Sequence, residues 1–214
     1  MAIDKSRTKP WMKVVIIFVI ATFVLGVAGF SMADLFNAPI ATTAGTGTPA
    51  TGGVATSQTI DAINLKHTPQ IKALEASLTA EPKNFELNVL QGNAYFDWAL
   101  ELSQATQGAQ GVELWKAAST YYAAAIAAKP GDPNVTTDYA ITLFSAGDVP
   151  GAIKVGEDLA KASPTFAPVQ FNLGIFYENS GDKVKAAAAY QKSLDLDPSG
   201  NNAAAAKAAL AKLK

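Results

Sequence analysis

Side chains able to carry out nucleophilic, acid–base or metal chemistry are few in this chain and stand apart from one another. His67 is the only histidine, and there is no cysteine. A metal site needs several donors close together, and a catalytic serine needs a base beside it. The sequence therefore predicts no metal site and no nucleophile–base pair. We expect no enzymatic activity, no cofactor and no small-molecule substrate.

The closely spaced carboxylates do not form a catalytic pair either. Asp195 and Asp197 lie two residues apart near a predicted helix end, so their side chains point to different faces. Glu178 and Asp182 border a predicted turn, where a carboxylate usually caps a helix or faces water. His67 comes directly before a Thr-Pro pair, and we expect it at a helix end as a capping or surface residue.

The charge distribution argues against nucleic acid as a partner. The 214-residue chain has 17 basic and 18 acidic residues, and four of the basic ones lie within residues 1–13. The remainder is mildly acidic and has no basic stripe. Arg7 is the only arginine, although arginine is the usual residue for bidentate contacts with phosphates and bases.

Residues 14–33 form an uninterrupted apolar stretch without charge, and as a helix they would span about 30 Å, the thickness of a bilayer core. Basic residues precede this stretch, and the next Lys or Arg is Lys66. The positive-inside bias therefore predicts a single-pass anchor of the plasma (inner) membrane, with residues 1–13 cytoplasmic and the rest extracytoplasmic. The alternative is a signal peptide cleaved after Ala33, because the sequence Ser-Met-Ala there fits a cleavage site. The length of the apolar stretch favours the retained anchor.

Residues 34–58 are predicted to be a flexible linker, rich in Ala, Thr, Gly and Pro. Residues 59–214 show no strand pattern, and short breaks interrupt their helical apolar spacing. We expect Asp132, Asp148 and Asp182 to cap the helices that follow three of these breaks. The predicted breaks lie at residues 67–70, 80–84, 104–111, 129–134, 145–151, 162–168, 179–183 and 197–201.

Prolines recur at a fixed interval, since Pro130, Pro164 and Pro198 are each 34 residues apart. The last interval also contains a pattern of small and large residues that resembles the tetratricopeptide repeat (TPR) family, L-G-x2-Y…A-x3-F…P. An unrelated helical bundle is the alternative, but it has no reason to keep this interval. The resemblance implies an all-α solenoid of antiparallel helix pairs. The residues that carry it are Leu173, Gly174, Tyr177, Ala186, Tyr190 and Pro198.

Two further units are less regular. The middle unit has Gly156 where the family has a large aromatic residue. The first unit keeps Gly92, Tyr95, Ala118 and Tyr122, with an insertion of 14 residues that we expect to appear as a longer first helix and a longer turn. Residues 69–82 are predicted to be the second helix of an incomplete leading unit. Residues 201–214 are predicted to form a solvating helix that closes the solenoid.

The resemblance also implies a partner-binding surface, because the first helix of each unit in this family lines a concave groove that receives a peptide or a partner's helix. The alternative is that some of the phenylalanines among these residues complete the core between units. Relatives that grip a C-terminal carboxylate need Lys and Arg in the groove, whereas Asp138 stands at one matching position here. The predicted groove residues are Val89, Asn93, Phe96, Thr137, Ile141, Phe144, Phe171, Ile175 and Glu178.

These observations lead to two functional hypotheses. The first is a membrane-anchored protein–protein interaction scaffold of a bacterial type, similar to extracytoplasmic repeat domains that serve assembly systems such as cytochrome c maturation. Its partner would be a protein or peptide held in the groove. The second is a structural accessory subunit of a membrane complex, held through its transmembrane helix.

Overall fold

The computed structural model describes residues 56–213 except 107 and 109, and this part of the chain contains helices and turns but no strand. Each helix packs on the next one in the chain, and α4 also contacts α6. The described region is therefore an all-α stack built in chain order, as predicted. Its helices are α1 (Ser57–Ala80), α2 (Phe85–Ala105), α3 (Val112–Ala128), α4 (Pro133–Ser145), α5 (Val149–Ala162), α6 (Ala167–Asn179), α7 (Lys183–Leu196) and α8 (Ala203–Leu213).

The predicted transmembrane segment, residues 14–33, lies outside the described residues, as does most of the predicted linker. Among the helices of the described region, each is too short or too polar to cross a bilayer.

Seven of the eight predicted breaks are confirmed, and the break at residues 67–70 is wrong. Pro69 lies inside α1, which continues for 24 residues. A proline in a helix removes the donor for the carbonyl four residues earlier, here that of Leu65. The Leu65 side chain is 76% exposed, so this side of the helix faces solvent and water can bind the carbonyl. Buried Ile63 and Ile71 hold the helix on both sides of the proline.

The prediction that His67 is a capping or surface residue is also wrong, because His67 is buried in the middle of α1. Its Nε2 lies 2.7 Å from Glu101 Oε2 on α2, and Lys66 Nζ donates to the same oxygen at 2.6 Å. The His67 ring stacks on Trp98, with 6.0 Å between centroids. His67 therefore joins α1 to α2, a role that depends on contacts across helices.

The predicted helix caps are confirmed. Asp148 Oδ1 accepts a hydrogen bond from the Gly151 amide at 2.9 Å, and Asp182 Oδ1 accepts one from the Lys185 amide at 3.0 Å. Asp132 caps α4 in the same way. The glycines directly before Asp148 and Asp182 have φ of +94° and +86°, a conformation that glycine adopts without strain. A Gly-Asp pair thus ends one helix and caps the next in two successive units.

Glycine and tyrosine bring the paired helices into close contact. A Cβ on Gly92 of α2 would stand 2.8 Å from the Tyr122 ring of α3, and one on Gly174 of α6 would stand 2.5 Å from the Tyr190 ring of α7. In the middle unit, Gly156 of α5 leaves space that the Leu173 side chain fills, because a Cβ there would lie 2.8 Å from Leu173 Cδ2. A side chain of α6, the first helix of the third unit, therefore fills the space that the missing aromatic residue leaves in the middle unit.

The predicted insertion appears as a longer first helix in the first unit. Helix α2 has 21 residues, whereas α4 and α6 have 13 each. At the other end, α8 buries Ala203 and Ala206 against the stack and leaves Lys207 exposed. It closes the last repeat as predicted.

Candidate partner-binding site

Helix α6, the first helix of the third unit, is buried around its whole circumference, because residues 169–177 are all buried. On α6, Leu173 contacts Gly156 of α5 and Gly174 contacts Tyr190 of α7. Ile175 lies about 200° from Leu173 around the helix, at 100° per residue. The predicted groove residues of α6 are thus on a different side of the helix from its contact with α5.

Six of the nine predicted groove residues are buried and three are partly exposed. Contact of any of them with a partner stays a prediction. The buried residues are Phe96, Thr137, Ile141, Phe144, Phe171 and Ile175, and the partly exposed residues are Val89, Asn93 and Glu178.

The three phenylalanines of this set each contact an aromatic ring. Phe96 meets Trp115 edge-on, with 4.9 Å between centroids. Phe144 lies 4.9 Å from Phe176, and Phe171 lies 5.7 Å from Tyr190. Such pairs stabilise packing between helices. These phenylalanines therefore contribute to the core between helices, the alternative that the sequence left open.

A stripe on α2 is more accessible. Glu86, Leu90, Asn93 and Asp97 recur at spacings of four, three and four residues, so they share one helix face. Leu90 is 48% exposed, which makes it one of the few large apolar side chains at the surface of the described region. Leu90 was not among the groove residues predicted from the sequence. It lies three residues before the predicted residue Asn93, and this spacing places both on one helix face.

Carboxylates gather where α2, α3 and α4 meet. Tyr122 donates a hydrogen bond to Asn93 Oδ1 at 2.7 Å. Burial raises the pKa of Tyr122 well above its usual value, and the charges of Asp138 and Asp97 add to the effect. Burial also raises the pKa of Asp138 to about 7, with further contributions from Asp132 and Asp97. This junction therefore brings several carboxyl groups together at the edge of the predicted groove.

A further carboxylate lies on α6. Glu178 Oε2 accepts a hydrogen bond from the Tyr190 hydroxyl at 2.9 Å. Burial and the Glu178 charge together raise the pKa of Tyr190 above its usual range. Because the donor comes from α7, the second helix fixes the position of a partly exposed carboxylate on the first.

On the side of α6 that faces α5 and α7, lysines outnumber carboxylates at the surface. An open depression between α5 and α7 has Leu173 and Tyr177 in its lining, together with Lys161, Lys185 and Lys192. Lys185 Nζ lies 5.3 Å from the centre of the Tyr177 ring. Within the described residues, no group of three or more His, Cys, Asp or Glu side chains could hold a metal ion.

Sequence profiles of the tetratricopeptide repeat match two adjoining stretches, residues 108–167 and 167–199. Residues 108–199 are tetratricopeptide repeats. The 34-residue proline interval and the helix pairs of the TPR domain agree with this assignment, and the predicted family is confirmed for these residues. TPR domains as a class are protein-interaction scaffolds. No curated protein matches the chain.

Solved structures show the same fold. The crystal structure of MamA is 18% identical in sequence, with a TM-score of 0.57 over 72% of this chain and 81% of the MamA chain. A second MamA crystal structure is 18% identical, with a TM-score of 0.53 over 73% of this chain and 82% of that one. At this level of identity the likeness establishes the TPR fold of the described helices.

Proposed function

We propose that this chain is a membrane-anchored scaffold whose TPR domain holds a partner polypeptide along its first helices, α2, α4 and α6. The observation that carries the proposal is the accessible stripe on α2. It presents the half-exposed side chain of Leu90 between hydrogen-bonding and charged groups. Protein interfaces combine these features, with an apolar anchor surrounded by polar contacts.

The anchor in this proposal is residues 14–33, followed by the linker 34–58, so that the TPR domain stands away from the membrane on the extracytoplasmic side. The uncharged apolar sequence and the preceding basic residues support this topology. By analogy with the repeat domains that serve cytochrome c maturation, the scaffold would present a partner's chain to a membrane-bound assembly system.

The proposal is tested by recovering the partner from detergent-solubilised membranes. Charged substitutions of Phe144 or Phe171 are unsuitable because both side chains are buried and the variants would unfold. Leu90→Ser removes an exposed apolar side chain from the stripe on α2. Leu65→Ser makes the same chemical change on α1 and is the matched control, because Leu65 is also exposed.

We expect Leu90→Ser to reduce the amount of co-purified partner at least about fivefold, since an apolar anchor contributes about 1 kcal/mol or more when it is buried on binding. Leu65→Ser should recover as much as the wild type. Equal recovery with both variants would contradict the groove. Thermal unfolding of each variant shows whether the fold is kept.

A structural accessory subunit is the second candidate, and exposed apolar side chains outside the groove favour it. Val184 on α7 is 82% exposed, and Leu65 is also exposed. An accessory subunit would cover such residues permanently and would depend on its own transmembrane helix. Replacing residues 14–33 with an unrelated anchor should release an accessory subunit from its complex, whereas a groove scaffold should keep its partner.

A further inference from the structure

Charge is segregated by helix in the TPR domain. The first helices α2, α4 and α6 contain five carboxylates and neither lysine nor arginine. The second helices and the turns carry charges of both signs. The lysines of the described region are Lys66, Lys72, Lys83, Lys116, Lys129, Lys154, Lys161, Lys183, Lys185, Lys192, Lys207 and Lys212, none of them on a first helix.

One of the five carboxylates, Glu101, forms ion pairs across a helix contact. Glu101 lies at the α1–α2 contact, where partial burial would raise its pKa. The hydrogen bonds from Lys66 and His67 outweigh that effect and lower it. Glu86 and Asp97 belong to the α2 stripe, and Glu178 is itself a predicted groove residue. Asp138 stands at the position that matches a groove residue of the carboxylate-binding relatives. We call Glu86, Asp97, Asp138 and Glu178 the acidic groove face.

Asp138 lacks a compensating cation within the described fold. It takes part in none of the ion pairs between described residues, which all involve other carboxylates. The charges that act on it are those of Asp132 and Asp97, and both disfavour its ionised form. A partly buried carboxylate beside other carboxylates is stabilised when a cation approaches it. A ligand with positive charge would supply that cation.

The carboxylates of the acidic groove face favour one class of ligand over the others. The described residues offer no cluster suited to a metal ion. An acidic segment would be repelled, and a neutral one would cover Asp138 without pairing it, which is costly for a desolvated charge. A basic segment pairs with the carboxylates and can place its aliphatic stems on Leu90.

We propose that the acidic groove face binds a lysine- or arginine-rich segment of the partner protein. This inference rests on the proposed function, because it identifies the chemistry of the polypeptide held along α2, α4 and α6. The occupant is a segment of another protein rather than residues 1–13 of this chain. Those residues are also basic, but the proposed topology places them across the membrane.

The test measures peptide binding to the full-length protein in detergent by fluorescence anisotropy. The probe is a labelled nine-residue peptide of alternating lysine and alanine, and the comparison peptide has glutamate in place of lysine. The variants are Asp138→Asn and the double variant Asp97→Asn/Asp138→Asn. Glu113→Gln is the matched control, because it removes one carboxylate from the exposed surface of the second helix α3.

We expect the lysine peptide to bind and the glutamate peptide to bind at least tenfold more weakly. Asp138→Asn should weaken binding of the lysine peptide about fivefold, the size expected for one partly buried charge pair, and the double variant should weaken it further. Glu113→Gln should change the affinity less than twofold. Raising the salt concentration should weaken binding to the wild type.

Three results would overturn the inference. The first is equal binding of the lysine and glutamate peptides, and the second is an unchanged affinity in the double variant. The third is tighter binding of a peptide copied from residues 1–13 than of the lysine probe, which would assign the face to the chain's own segment. If the lysine peptide fails while Leu90→Ser still releases the partner, the scaffold function stands and only the basic character of the segment is wrong.

Discussion

The contact between Gly174 and Tyr190 gives the sharpest prediction about packing. In Gly174→Ala the new Cβ would stand 2.5 Å from Cδ1 and Cε1 of Tyr190, about 1 Å closer than an ordinary contact between carbon atoms. The Tyr190 ring is buried and its hydroxyl donates to Glu178, so the ring has little freedom to move away. Overpacking of this kind costs about 1–3 kcal/mol.

Alanine also favours the helix over glycine by about 1 kcal/mol, which offsets part of this cost. We therefore expect Gly174→Ala to lower the free energy of unfolding by up to about 2 kcal/mol. For a protein of this size that corresponds to a decrease in Tm of up to about 8 °C. Thermal unfolding followed by far-UV circular dichroism measures the change.

A double-mutant cycle separates the clash from other effects. Tyr190→Leu alone should destabilise, because it removes a buried ring and a hydrogen bond. In Gly174→Ala/Tyr190→Leu the smaller side chain leaves space for the methyl group. The double variant should therefore be more stable than the sum of the single changes by about 1 kcal/mol or more. Additivity within about 0.5 kcal/mol would refute the close contact as the reason for glycine at this position.

Three further predictions follow from the polar contacts. His67→Ala should weaken the α1–α2 contact, so amide hydrogen exchange should accelerate in α1 but stay unchanged in α7. Because burial raises the pKa of Asp138 to about 7, the ionisation of this carboxyl should cost stability as the pH rises from 4 to 7, and Asp138→Asn should stabilise the protein more at pH 8 than at pH 5 in urea unfolding. Tyr177→Phe removes a 2.6 Å hydrogen bond to Glu157 and should cost about 0.5–1.5 kcal/mol in the same assay.

Local signals in the sequence predicted the repeat architecture. The proline interval, the Gly-Asp breaks and the caps at Asp148 and Asp182 depend on backbone chemistry within a few residues, so they can be found in one sequence. Pro69 and His67 were misplaced because their environment is decided by α2. A proline is tolerated where solvent can bind the freed carbonyl and neighbouring residues are packed, and neither condition is visible locally.

The candidate site was harder to predict than the fold. The family pattern identifies which positions of a first helix lie on the groove side, but it does not tell which side chains are covered. Phe96, Phe144 and Phe171 pack on rings of neighbouring helices, and those rings are distant in sequence or irregularly spaced. Leu90 lies one residue after a predicted position and is exposed. The absence of lysine and arginine from the first helices can be recognised only after each helix has been assigned as the first or second of its unit.

The most direct test of the central claim is site-specific photo-crosslinking in intact membranes, with a photoreactive amino acid placed at Leu90 on the groove stripe or at Val184 on α7. If the first helices hold a partner polypeptide, the probe at Leu90 gives a discrete crosslinked protein and the probe at Val184 does not. Crosslinks to the same protein from Val184, with none from Leu90, would contradict the account.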